Sequence, residues 1–407
     1  MKRWIAVILA AAMTLSLAAC GTAGNTSGTT PPSSGGSQGQ AQPEGDFKGT
    51  VKVGHLAVIS GPDDYLGVPT TAAMQDYLDE VNANGGWLGY KVELVTYDIA
   101  RGVEEVAPAA TKMIEQDKCI AILGPTYSAG ATSAQPVVTA GGVPLIALSA
   151  TNAACTVNEQ TGEVYDWMFR VCFTDNYQAE GLANFLIDEG ITKVGVLTCV
   201  TNSYSVGMEN LFTEIFTNAG GTITRTEGFN ENDIDFRAQL TNIGATDCEA
   251  IFFPATNIRY GVLAAQQARE LGIDVPFVLP DSVYGNELLE AAEELEGSFV
   301  STGLIDDDPA YEDYRADFQA KHGMGANMFC YYGLDCLMLL EAAIKEANSL
   351  DSADIRAALD DIQDAPVFTG TLTIDPATHN PVDKAVTIMT IKDGGFELYK
   401  VFDPKAK

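Results

Sequence analysis

Residues 144–155 read Pro-Leu-Ile-Ala-Leu-Ser-Ala-Thr-Asn-Ala-Ala-Cys. The apolar run Leu145 to Leu148 has the length of a buried strand and stops at Ser149-Ala150-Thr151-Asn152. Small hydroxyl and amide groups at a strand's C-terminal end suit ligand binding, because open α/β sheets bind ligands at that edge. The same residue types also build helix caps and plain βα turns, so this stretch alone leaves both readings open. Chemistry of another kind has no residues to carry it. There is no GxSxG, no P-loop and no HExxH, and the carboxylates are many but unpatterned. Only His55, His322 and His379 exist, and no two cysteines have CxxC spacing, so neither a zinc site nor a cofactor is expected. The chain reads as a binder, not an enzyme.

Such strand ends must be held by a sheet. Strands are predicted at 51–59, 90–97, 120–123 and 145–148, with helical spacing between them. Met74, Leu78 and Val81 share one helical face, and that run closes at Asn84-Gly85-Gly86. A second helix opens near Val103, with Glu104 and Glu105 in its first turn and Pro108 near its start. The strands end at Ser60-Gly61-Pro62, at Asp98 and at Gly124-Pro125-Thr126-Tyr127-Ser128. A helical stretch links this last turn to the strand at 145–148. This β-α-β-α-β-α-β order predicts a parallel sheet with helices on both faces.

The pattern then begins again. Helices are predicted at 178–189, 206–219, 236–243 and 257–271, and strands at 193–198, 222–228, 250–254 and 276–280, the last ending at Asp281. A strand at 297–302, helices at 309–322, 327–348 and 352–362, and strands at 369–374, 385–392 and 396–402 follow. Asp393-Gly394-Gly395 joins the last two as a hairpin. Two similar runs imply two similar lobes. Shared later elements imply more than one crossing between them, which would make a hinge with a cleft.

Composition bounds the partners. With 407 residues, 46% of them hydrophobic, the chain is long enough for two domains with substantial cores. Lys+Arg 23 against Asp+Glu 55 gives −32, which argues against nucleic acid and anionic membrane surfaces. Residues 1–19 read as a signal peptide: Lys2 and Arg3, then an apolar core too short for a permanent span. Leu17-Ala18-Ala19-Cys20 resembles a bacterial lipobox, with Cys20 lipidated. Residues 20–46 then form the lipidated cysteine and a Gly/Ser/Thr/Pro tether, too polar to fold, whose reach would be roughly 25–30 Å. The protein is therefore expected to be lipid-anchored on the outer side of the cell membrane, at the cell surface or in the periplasm. Of the seven later cysteines, an odd number, at least one must lack an intramolecular partner; Cys155 and Cys172 flank one loop and either pair or do not. Cys119 and Cys199, beside apolar runs, are expected to be buried thiols.

Residues 50–402 resemble the branched-chain amino acid (Leu/Ile/Val-type) binding proteins, the extracytoplasmic substrate-binding components of ABC importers. "KVGHLAVISGP", "EVNANGGWLGYKVELVTYD" and "AILGPTYSAGATSAQPVVTAGGVPLIALSATN" match the first lobe in order and spacing. "FRVCFTDNYQAEGLANFL" matches the start of the second lobe, "QQARELGIDVPFVLPDSVYG" its last unit and "FTGTLTIDPATHNPV" the tail. The resemblance implies an α/β type I periplasmic-binding fold of Venus-flytrap form: two doubly wound parallel-sheet lobes joined by a three-crossover hinge. It places the N-terminal lobe at 47–172 plus 302–366 and the C-terminal lobe at 173–301 plus 367–407. Hinge closure around a ligand is the transition by which periplasmic binding proteins work.

The same resemblance implies the ligand positions. Ser128 matches a serine that takes the substrate carboxylate, as a residue opening a helix can. Ser149 falls where backbone groups meet the ligand, Thr151 matches a threonine contacting both carboxylate and ammonium, and Ala150 between them joins the set. Tyr65 walls the side-chain pocket. Tyr204 matches the tyrosine of a Tyr-Gly pair in which Ser205 replaces the glycine. Asp281 matches an acid that pairs with the ammonium. Asn257 stands where many relatives carry an aromatic or glycine, which admits a polar side chain or amide. Tyr331, with Phe329 nearby, reaches the cleft or packs in the core. The expected function is capture of an amino acid and delivery to an ABC permease and ATPase complex. The alternatives are a binder of amides, urea or small carboxylates, or a ligand-sensing receptor module of the same fold.

Overall fold

A computed structural model describes residues 47–382 and 384–402. The expected signal peptide and tether, with Cys20, lie outside the described residues. Apolar runs short enough to be covered on both faces become strands, and the amphipathic stretches between them become helices. Strands β1 (Thr50–Ala57), β2 (Lys91–Asp98), β3 (Ala121–Leu123), β4 (Leu145–Ala147) and β5 (Met168–Arg170) form one sheet in the order β2-β1-β3-β4-β5. Every pairing in it is parallel. Helices α1 (Val68–Ala83), α2 (Val103–Lys112) and α3 (Ser128–Gly141) connect its first four strands.

After β5 the chain passes to a second sheet. Helix α4 (Asp175–Asp188) leads into β6 (Lys193–Cys199), α5 (Ser203–Asn218), β7 (Thr222–Phe229), α6 (Arg237–Gly244), β8 (Ala250–Phe252), α7 (Ile258–Glu270), β9 (Phe277–Leu279) and β10 (Phe299–Thr302). The chain then returns to the first sheet's side. Helix α8 (Glu312–His322) precedes α9 (Met328–Ala347), which packs on α1, and α10 (Ser352–Asp361), which packs on α9. The short strands β11 (Ala365–Val367), β12 (Gly370–Leu372), β13 (Ile374–Asp375) and β14 (Asn380–Pro381) form two small hairpins. Finally β15 (Val386–Lys392) and β16 (Gly395–Phe402) complete the second sheet, in the order β16-β15-β10-β9-β8-β6-β7.

Three differences from the sequence reading have physical causes. The second sheet is mixed: β15 runs antiparallel to β10, and β16 antiparallel to β15, because the C-terminal hairpin adds to the β10 edge. Strand β5 has no counterpart in the sequence reading; its third residue, Arg170, is charged yet fully buried. The stretch from 367, expected in the second lobe, runs beside the first sheet as far as β14. Residues 367–381 pack with the first sheet: the Thr369 N–H and hydroxyl donate to the buried Asp335 of α9 at 2.9 and 2.6 Å, and His379 stacks on Phe169 of β5 with centroids 4.2 Å apart. The third passage between the sheets therefore follows Pro381.

All seven cysteines among the described residues are free. Cys155 and Cys172 do not pair, and both are buried, as are Cys119 and Cys199.

Candidate ligand site between the two sheets

The loops at the C-terminal ends of both sheets face one another across a cavity of about 770 Å³, within the size range of small-molecule sites. Each wall comes from a different part of the chain. Residues following β1, β2, β3 and β4, with the start of α9, form one wall; residues following β6, β7, β8 and β9 form the other.

Anion-binding groups gather on the first wall. Ser128 is buried as the first residue of α3, and its Oγ accepts the Asn152 N–H at 3.3 Å. A 14-residue helix beginning there presents free N–H groups and the positive end of its dipole. Ser149 Oγ donates to the Thr126 carbonyl at 2.7 Å. Thr126 itself is 8% exposed, lines the cavity, and its Oγ1 has no partner among the described residues. Thr151 is buried and lines the same wall.

The segment 149–152 is held from beneath by Arg170. Its Nη1 donates to Ala150 O at 2.6 Å, and its Nη2 to Asn152 O at 2.8 Å and Thr156 Oγ1 at 3.1 Å. The Asp175 N–H donates to Thr151 O at 3.0 Å. Ala150 is thereby turned away: it is fully buried, its carbonyl is taken by Arg170, and it is absent from the cavity wall. Burial pushes the Asp175 carboxyl up to about 7, against the pull of the Thr151 hydroxyl and the Arg170 guanidinium.

The opposite pole is Asp281, at the end of β9 and 6% exposed. Its Oδ1 accepts Gln178 Nε2 at 2.7 Å and the Tyr204 hydroxyl at 3.0 Å. Burial raises the Asp281 carboxyl above its usual range, and these two donors pull it back. Tyr204 is fixed because Asn202 caps α5, accepting the Tyr204 N–H at 3.0 Å. Ser205, where the family resemblance implies a glycine, donates to Pro254 O at 2.7 Å and accepts the Cys199 N–H at 2.9 Å, tying β6 to the loop after β8.

Tyr65 and Asn257 also reach the cavity. Tyr65 meets Phe329 edge-on, with centroids 6.2 Å apart. Asn257 caps α7, its Oδ1 accepting the Tyr260 N–H at 3.1 Å. Tyr331 does not reach it. Two residues beyond Phe329, it lies about 200° around α9. It is fully buried against Tyr311 and Phe368, with its hydroxyl donating to Asp306 O at 3.1 Å. Phe329 is the aromatic of α9 that lines the wall.

Sequence reasoning missed Arg101, Asp63, Thr126 and Tyr127 on the first wall and Asn202, Thr256 and Tyr260 on the second. The signal for several was present. Thr126 and Tyr127 sit in one of the strand-end turns, and Arg101 closely follows Asp98, the end of β2. No group of His, Cys, Asp and Glu fit to hold a metal exists among the described residues.

Known proteins share this fold. A family model described as periplasmic binding protein matches residues 50–395. The chain belongs to the periplasmic binding protein family. A Leu/Ile/Val-binding protein of Rhizobium johnstonii is 25% identical over 325 residues, 79% of this chain and 87% of the relative. The solved leucine-binding protein of Thermotoga maritima has a TM-score of 0.79 and 28% identity, covering 88% of this chain and 100% of that one. The branched-chain amino acid transporter substrate-binding protein of Streptococcus pneumoniae, solved with isoleucine, gives a TM-score of 0.78 and 28% identity over 87% of this chain and 100% of its own. This periplasmic binding protein is thus a solute-binding protein of that type, and its relatives are binding proteins, not enzymes. None of its described helices is long and apolar enough to cross a membrane.

Proposed function

We propose that the protein captures a free amino acid in the cavity and delivers it to an ABC importer permease from the outer side of the membrane, anchored through a lipid on Cys20. The observation that carries this reading is the opposition of two poles across the cavity. The Ser128 hydroxyl, the backbone N–H groups at Ser149 and Thr151, and the start of α3 offer donors on one wall; the Asp281 carboxylate faces them from the other. A zwitterion supplies the matching pair of charges, and closure buries each with a partner, as buried charges require. Two lobes on these sheets, hinged at the three passages between them, would provide that closure.

A thermal-shift screen against all amino acids, small amides, urea and simple carboxylates tests the reading. A ligand that binds only the folded state adds about 2.7 kcal/mol at a hundredfold excess over its Kd. The expected result is a shift with at least one amino acid that is lost in Asp281→Ala. Shifts confined to amides, urea or carboxylates would overturn the roles of Asp281 and Ser128. Delivery and anchoring have separate tests: uptake by membranes carrying the permease, and labelling of Cys20 by a lipid precursor.

A further inference from the structure

We infer that the preferred solute is an amino acid whose side chain is neutral and polar, ending in an amide or a hydroxyl, and not an aliphatic one; this rests on the amino-acid reading above. The two walls differ in chemistry. The apolar side chains of the cavity, Leu66, Met328 and Phe329 among them, all belong to the first wall. On the second wall every lining residue is polar or a tyrosine; Thr201, Asn202, Thr256, Asn257 and Tyr260 are five of them. An aliphatic side chain would strip water from this wall and return no hydrogen bond, which costs free energy at each unpaired group.

One donor is left over on that wall. The Oδ1 of Asn257 is occupied by the Tyr260 N–H, so the amide Nδ2 points its two hydrogens elsewhere and has no partner among the described residues. Asn202 differs, because its Nδ2 already donates to Glu231 at 2.9 Å. The Asn257 amide therefore asks for an acceptor oxygen on the ligand. A charged side chain finds no counterpart. Arg101, the cation of the cavity lining, is engaged by Asp63 and by Thr256 O. Asp281 serves the ammonium pole in the reading above, and Glu104 and Glu231 sit exposed at the rim. Sites built to hydrogen-bond a substrate group reject analogues that lack it far more strongly than apolar pockets reject an extra group.

Isothermal titration of the protein with glutamine, asparagine, serine and threonine, against leucine, isoleucine and valine, tests this. The expected result is that one of the polar four binds about tenfold or more tightly than any of the aliphatic three. Asn257→Ser keeps a cap for α7 and shortens the side chain so that the amide donor is lost. It should weaken the polar ligand by about tenfold and leave leucine within about twofold. Thr256→Val, which leaves the cap of α7 in place, should move the preference toward leucine. Leucine, isoleucine or valine binding the wild-type protein as tightly as every polar amino acid would overturn the inference while leaving the amino-acid reading intact. Failure of every amino acid to bind would overturn both.

Discussion

Arg101 reaches across the cavity to Thr256: its Nη2 donates to the Thr256 carbonyl at 2.5 Å, joining a loop of the first sheet to a loop of the second. The guanidinium is held from behind. Nη1 pairs with Asp63 at 3.0 Å, and the group lies 5.9 Å from the Tyr127 ring centroid. The turn that presents it is left-handed at two non-glycine residues, Ala100 and Arg101, at φ 41° and 58°. Asp98 Oδ1 steadies that turn by accepting the Ala100 N–H at 2.9 Å and the Ile59 N–H at 3.2 Å.

Arg101→Ala should therefore release ligand faster. A charge-assisted bond spanning two lobes exists only while they are together, so its loss should appear in the off-rate, by about tenfold, with little change in the on-rate. Stopped-flow fluorescence reads both. An unchanged off-rate would show that the bond does not hold the closed form.

Asp281→Ala should weaken amino acid binding by about 2–5 kcal/mol, the range for removing one partner of a buried charge pair. Titration calorimetry measures it. A loss below about tenfold would place Asp281 outside the site.

Arg170→Met should unfold the protein more readily and spoil the site together. The substitution leaves the buried carbonyls of Ala150 and Asn152 without donors and leaves Asp175 without its cationic neighbour. A loss of about 3–5 kcal/mol in denaturant unfolding is expected. Full stability with full binding would show that segment 149–152 needs no clamp.

The Asp175 carboxyl makes stability depend on pH. Its pKa is ~3.9 in an unfolded chain, but about 7 here. Between those values the folded state holds more protons than the unfolded one, so stability present at low pH is lost as pH rises from about 4 to about 7. Asp306, raised to about 7 by burial, contributes with the same sign. Buried His55, lowered to about 4, contributes with the opposite sign, so the test is the difference: across that window Asp175→Asn should lose less stability with rising pH than the wild type does. Equal slopes would mean that Asp175 is ionised throughout.

Much of this arrangement was legible because it obeys local rules. Apolar runs bounded by Gly, Pro and Asn gave most of the strands of both sheets; the small polar residues at their ends left a turn and a ligand edge both open, and only the family resemblance singled out Ser128, Ser149 and Thr151. What escaped was non-local. Arg170 fits a strand only because the carbonyls of Ala150 and Asn152, far along the chain, absorb its charge, and no periodicity reports that. The hairpin of β15 and β16 was visible in Asp393-Gly394-Gly395, but the edge it joins is decided by packing on β10. Tyr331 escaped placement because α9 is apolar on most of its surface, so hydropathy could not tell the cavity side from the core side.

Asn257 serves two masters. As the cap of α7 it belongs to the short menu of Asn, Asp, Ser and Thr, and leaving that menu costs a helix about 1 kcal/mol. As part of the cavity wall it also faces the space proposed for the solute. Drift toward a new solute at this position is thus confined to small polar residues unless another change restores the helix. Retuning toward greasy cargo should start instead at Thr256 or Tyr260, whose side chains are free of that duty.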